Sequence, residues 1–156
     1  MELEITEKTS TALLAYTEAL IDDTLPLVSN LANLSRLLFE GFDGVSWAGF
    51  YLTDDSLQNM YLGPYQGPIA CTRIPFTKGV CGAAAREQKT QLVQNVHEFP
   101  GHIACSSLTN SELVVPILKN GLSVGVIDLD SEKMANFTEE HAQTLEKIAQ
   151  ILAKLF

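Results

Sequence analysis

The sequence is poor in basic residues, long apolar runs and ready-made catalytic motifs. Only 10 Lys and Arg stand against 19 Asp and Glu, a formal net charge of −9 at pH 7. A surface that tracks phosphates or docks on anionic lipid needs the opposite sign, so nucleic acid and membrane are not expected partners. No run approaches the ~18 apolar residues of a membrane span. The start, MELEITEKTS, has neither the basic region nor the apolar stretch of a secretory signal. A cytoplasmic protein is expected. Also missing are a Gly-x-Gly-x-x-Gly fingerprint, a Walker loop and a Gly-x-Ser-x-Gly elbow.

No Cys-x-x-Cys occurs either, which excludes a thioredoxin-type motif and a zinc knuckle. The three cysteines are Cys71, Cys81 and Cys105. An odd count in a reducing compartment is not a disulfide framework, and buried thiols acting as small hydrophobes are the plainest reading. Two features point past it. Cys81 stands at an expected helix start, Gly79-Val80-Cys81-Gly82, and backbone N–H groups there favour a thiolate. Cys105 lies in HIACSSLTNSE, too polar a stretch to need core filler.

With 156 residues and 46% hydrophobic composition, the chain can fill the core of one domain, expected to span 1–156. Helical spacing of leucines predicts helices over about 7–22 and 25–40, the second opening at Thr24-x-Pro26 and stopping at Gly41. Their leucines are also a candidate subunit contact. SWAGFYLT and LQNMYLGPY read as paired strands around Asp54-Asp55-Ser56. A loop-rich middle, 63–110, holds every cysteine, one short helix and one strand at TQLVQNV. In ELVVPILKNGLSVGVIDLD, Asn120-Gly121 marks a two-residue hairpin turn. Thr138 caps a final helix. Helices against a mostly antiparallel sheet make an α+β fold.

The hairpin carries acids where a buried strand should not. Glu112 opens its first strand, while Asp128 and Asp130 close the second on one face. Antiparallel pairing brings the three carboxylates together. The bland reading is a solvated strand end. The sharper one is a pocket that grips a cation and supplies a proton, because crowded like charges raise one another's pKa. His97, His102 and Cys105 leave a zinc site open as a lesser alternative, although Pro100-Gly101 breaks any helix that would align the histidines. Thiols beside carboxylates suit two-electron sulfur chemistry, with one thiol attacking, an acid protonating the leaving oxygen and a second thiol resolving the product.

Four blocks carry a resemblance: SWAGFYL, GPYQGPIACTRIPFTKGVCGAA, NVHEFPGHIACSSLTNSELVVPI and GVIDLDS. They resemble the free methionine-(R)-sulfoxide reductases, which are GAF-domain enzymes. The resemblance implies a GAF-like fold, mostly antiparallel sheet packed against N- and C-terminal helices. It implies Cys105 as nucleophile on the sulfoxide sulfur, Cys71 as main resolving cysteine and Cys81 as an additional one. That conflicts with Cys81 as the most thiolate-like residue. It further implies Glu112 against the sulfoxide oxygen, Asp128 and Asp130 around the substrate ammonium, and Trp47 against the methyl–sulfur end, with Tyr51 a second wall. The implied substrate is free methionine (R)-sulfoxide. Thioredoxin is the implied reductant, a homodimer is a candidate assembly, and no metal or organic cofactor is needed. The rivals are a non-catalytic GAF sensor of a small ligand and a thiol redox sensor. Against the ligand sensor stands a length that leaves no room for an output module.

Overall fold

A computed structural model describes residues 3–156. Six strands form one sheet in the order β3-β2-β1-β6-β5-β4, antiparallel at every pairing. They are β1 (Val45–Thr53), β2 (Asn59–Gln66), β3 (Arg73–Pro75), β4 (Gln91–Val93), β5 (Ser111–Lys119) and β6 (Leu122–Ser131). The helices among the described residues are α1 (Ser10–Leu20), α2 (Leu27–Gly41), α3 (Gly79–Glu87) and α4 (Glu139–Leu152), with short 3-10 turns at Val96–Glu98 and Ala153–Leu155. The α+β expectation holds. No described helix is long and apolar enough to cross a membrane.

Strand alternation decides what each face buries. On β5 and β6, Leu113, Val115, Ile117, Ile127 and Leu129 point to one side. They join Leu31, Leu34, Leu38, Leu145, Ile148 and Leu152 in a core roofed by α1, α2 and α4. The intervening positions, Val114 and Val126 with Trp47 and Tyr51 of β1, face α3 and the middle loops. Glu112, Asp128 and Asp130 have the same parity. The hairpin turn follows its sequence signal, with Asn120 at φ 52° and Gly121 at φ 76°, both positive as a type I′ turn requires.

The expected helices survive with trimmed ends. Thr9, not foreseen, caps α1 by accepting a bond from the Ala12 N–H at 3.2 Å. Pro26 stands directly before α2, where a fixed φ suits helix entry. Thr138 caps α4 and accepts from the His141 N–H, while His141 Nδ1 accepts in return from the Thr138 N–H. The middle segment is more ordered than its glycines and prolines suggest. It holds β3 as well as α3 and β4, because Met60 and Tyr61 of β2 supply an edge to pair with.

Candidate active site

Pairing across three strands assembles the site. Trp47 of β1 stands opposite Asp130 of β6, and Asp130 stands opposite Glu112 of β5. One row along the strands, Gly49 is opposite Asp128, and Asp128 is opposite Val114. A second row along, Tyr51 pairs with Val126. The result is a floor of two aromatics and three acids beneath α3. These residues line a cavity whose walls include Cys81, His102, Cys105, Thr109 and Ile74. Every site residue expected from sequence reaches this cavity except Cys71, which sits at its edge, bonded to Cys105.

The aromatic wall depends on a glycine. Trp47 stacks between Tyr51 and Tyr65, with ring centroids 5.8 and 5.2 Å away. A Cβ on Gly49 would come within 2.4 Å of the Tyr65 Cβ and 2.8 Å of the Trp47 ring. No larger residue lets the indole lie flat there. The Trp47 Nε1–H donates to the Pro68 carbonyl at 3.2 Å, and the Tyr51 hydroxyl donates to the Cys71 carbonyl at 2.9 Å. Burial, helped by the nearby acids, pushes the Tyr51 phenol far above its ordinary range, so it stays a neutral donor.

The carboxylates are buried with little compensation. Glu112 and Asp128 are 6% and 5% exposed. Burial is the main cause that raises the pKa of all three acids well above the carboxylate range. Mutual repulsion adds to it, Asp130 acting on Glu112, Glu112 on Asp128, and Asp128 on Asp130. The Oδ1 atoms of Asp128 and Asp130 are buried and without a hydrogen-bond partner. A buried polar atom left unpaired costs free energy that a donor entering the cavity would recover. His102 Nε2 lies 3.6 Å from one Glu112 oxygen, and burial lowers its pKa, favouring the neutral ring. The other Glu112 oxygen lies 4.0 Å from the Cys81 sulfur.

Cys71 and Cys105 form a disulfide with Cα atoms 5.5 Å apart. They come from two loops that approach over the cavity, 34 residues apart in sequence. A backbone bond from the Gly79 N–H to the Gly101 carbonyl, 3.0 Å, ties the Cys105 loop to the start of α3. Gly79, at φ +74°, leaves room for Ile103 to pack against it.

Cys81 corrects one sequence reading. It does open α3, but it is 3% exposed, and burial followed by Asp128, Glu112 and Asp130 pushes its thiol well above the ordinary value. Desolvation and three acids outweigh the helix N-terminus, so the Cys81 thiol favours its protonated form. Its sulfur, Glu112 and Asp128 lie within 4.8 Å of one another, donors of a kind that can hold a borderline divalent cation. The zinc alternative built on two histidines does not assemble. His97 pairs with Asn110 at 2.8 Å and lines no part of the cavity, whereas His102 faces it. His102, Thr109 and Ile74 are among the cavity residues that sequence reasoning did not assign, and Tyr65 backs Trp47 from outside the lining. His102 and Thr109 each stand three places before an assigned residue, Cys105 and Glu112.

An antiparallel six-stranded sheet with helices on one face and a thiol–carboxylate cavity on the other defines a GAF domain with redox equipment. The family model for the GAF domain matches residues 29–156. The free methionine-R-sulfoxide reductase of Escherichia coli K12 is 42% identical over 137 residues, covering 88% of this chain and 82% of that protein. Its Saccharomyces cerevisiae counterpart is 45% identical over 148 residues, covering 91% and 82%. The X-ray structure of free methionine-R-sulfoxide reductase from Neisseria meningitidis in complex with its substrate superposes with a TM-score of 0.85 at 44% identity, covering 95% of this chain and 86% of that one. The chain belongs to the GAF-domain family of free methionine-R-sulfoxide reductases, which are oxidoreductases.

Proposed function

We propose that this chain, as one domain over residues 1–156, reduces free methionine (R)-sulfoxide to methionine. The observation that carries the reading is the Cys71–Cys105 disulfide lying over a cavity floored by three acids, two with buried, unpaired oxygens. A zwitterionic substrate brings an ammonium group to those oxygens, and Asp128 with Asp130 receives it. Pairing with that cation favours their ionised forms, while Glu112, raised by burial, keeps its proton. The methyl–sulfur end rests on Trp47 and Tyr51.

In the reduced protein the Cys105 thiolate attacks the sulfoxide sulfur, and Glu112 protonates the oxygen. The protonated oxygen then moves from the substrate sulfur to the Cys105 sulfur as the bond between the two sulfurs and the original S–O bond break, which leaves Cys105 as a sulfenic acid and releases methionine. Cys71 attacks the sulfenic sulfur, forming the disulfide and expelling water. Thioredoxin, or a dithiol like it, exchanges with the disulfide and restores both thiols. A reducing compartment such as the cytoplasm suits that last step. Cys81, beside Glu112 and shielded, is a reserve resolving thiol.

The sensor readings require ligand binding or disulfide toggling without turnover. One experiment separates them from an enzyme. Reduced protein mixed with free (R)-sulfoxide and no reductant is expected to release one methionine per chain. Cys105→Ser is expected to release none. Release by that variant at the wild-type rate would move the nucleophile elsewhere.

A further inference from the structure

The loop carrying Cys71 is held from beneath at three points. The Trp47 Nε1–H bonds the Pro68 carbonyl, the Tyr51 hydroxyl bonds the Cys71 carbonyl at 2.9 Å, and the Leu62 N–H bonds the Thr72 carbonyl at 3.0 Å. Between the first two anchors Ile69 projects outward, 91% exposed. Tyr51 is 2% exposed and fixed at its base by strand pairing on both sides, to Leu62 and to Val126. A rigid central strand therefore grips a surface loop at the backbone of the cysteine that must meet Cys105. Exposed loops are ordinarily the more mobile parts of a fold. Nothing in the wall role of Tyr51 requires its hydroxyl, since a phenyl ring offers the same apolar surface.

We infer that Tyr51 is a positioning residue for the resolving step, its hydroxyl holding Cys71 within reach of the Cys105 sulfenic acid, with Trp47 as the second anchor of the same loop. The inference rests on the reductase reading and adds to it the assignment of two buried side chains to a step after methionine leaves. The step itself balances as before. The Cys71 thiolate forms a bond to the Cys105 sulfur, the S–O bond breaks, and hydroxide leaves as water with a proton from solvent.

The test follows chains that have already released methionine, so a change in substrate affinity does not enter. Reduced protein is mixed with one equivalent of free (R)-sulfoxide and quenched at intervals into a 1,3-dione that traps sulfenic acid. Mass spectrometry then compares trapped Cys105 with Cys71–Cys105 disulfide. In the wild type the disulfide is expected to dominate at every time. In Tyr51→Phe the Cys105 sulfenic acid is expected to live about tenfold longer, the rate equivalent of about 1.4 kcal/mol. Trp47→Phe, which removes the other anchor, is expected to shift the balance the same way. In a Cys71→Ser background, Tyr51→Phe is expected to leave the sulfenic lifetime unchanged, because the thiol that its hydroxyl positions is gone. Disulfide formation at the wild-type rate in both Tyr51→Phe and Trp47→Phe overturns the inference, as does an equal effect with and without Cys71. Wild-type protein that releases no methionine overturns the reductase reading beneath it.

Discussion

The two faces of the sheet are made by alternate residues of the same strands, yet they follow opposite rules. On the helical face, Leu113, Ile127 and Leu129 are wholly buried among leucines, and the buried hydroxyls of Thr17, Ser35 and Thr144 all donate to backbone carbonyls of their own helices. On the other face, Glu112, Asp128 and Asp130 sit under α3 and two loops with raised pKa values, and Asp128 and Asp130 each keep an unpaired oxygen. One face maximises the area removed from water. The other gives up stability to keep a site ready for a charged guest. The fold carries that cost because the stabilising work is done a single residue away along each strand.

Leu129 and Asp128 put that contrast to the sharpest test, being neighbours in sequence and opposite in direction. Leu129→Ala opens a cavity in the helical core and is expected to cost about 2–5 kcal/mol of stability. Urea or thermal unfolding measures it, and a cost below 1 kcal/mol would mean that the helical face is not the main support. Asp128→Asn should go the other way. Because burial raises the Asp128 pKa, the folded state holds a proton that the unfolded chain releases. Stability without ligand therefore falls as pH rises from the ordinary carboxylate range toward the folded value. The amide removes that group's share of the fall. Asp128→Asn is expected to raise the ligand-free Tm at pH 7, by about 2–4 °C for each kcal/mol recovered, while weakening capture of the substrate ammonium. A lower Tm at pH 7 with a steeper loss on raising pH would contradict this electrostatic account.

The same contrast explains what could be read from the sequence. The helical face was legible throughout, since leucines at helical spacing and alternating strand residues state their own periodicity. Asn120-Gly121 marks the hairpin and so brings its acidic outer ends together, but that turn alone would set Glu112 opposite Leu129; the irregularity between Ile117 and Leu118, which no turn signal announces, shifts the register by one and puts Glu112 opposite Asp130. What failed was local reasoning about Cys81. A helix start is visible in four residues, but the three acids that suppress its ionisation come from β5 and β6, 31 to 49 positions away. The Cys71–Cys105 pairing came from family resemblance, since spacing alone left three pairings open. The roles of Gly49 and Tyr65 in holding Trp47 depend on β1 meeting β2, and no single-strand pattern reports that contact. The sequence marks His102 as a metal ligand and not as a neighbour of Glu112, because only the folded loop turns it inward.

The central claim is that this cavity takes a free amino acid by its charged groups and reduces one sulfoxide epimer. Reduction is best measured with thioredoxin, its reductase and NADPH, on three substrates in parallel: free methionine (R)-sulfoxide, free (S)-sulfoxide and a peptide-bound sulfoxide. Turnover of the free (R)-epimer, with little or none of the other two, is the predicted result. Activity on none of the three, or equal activity on all, would contradict it.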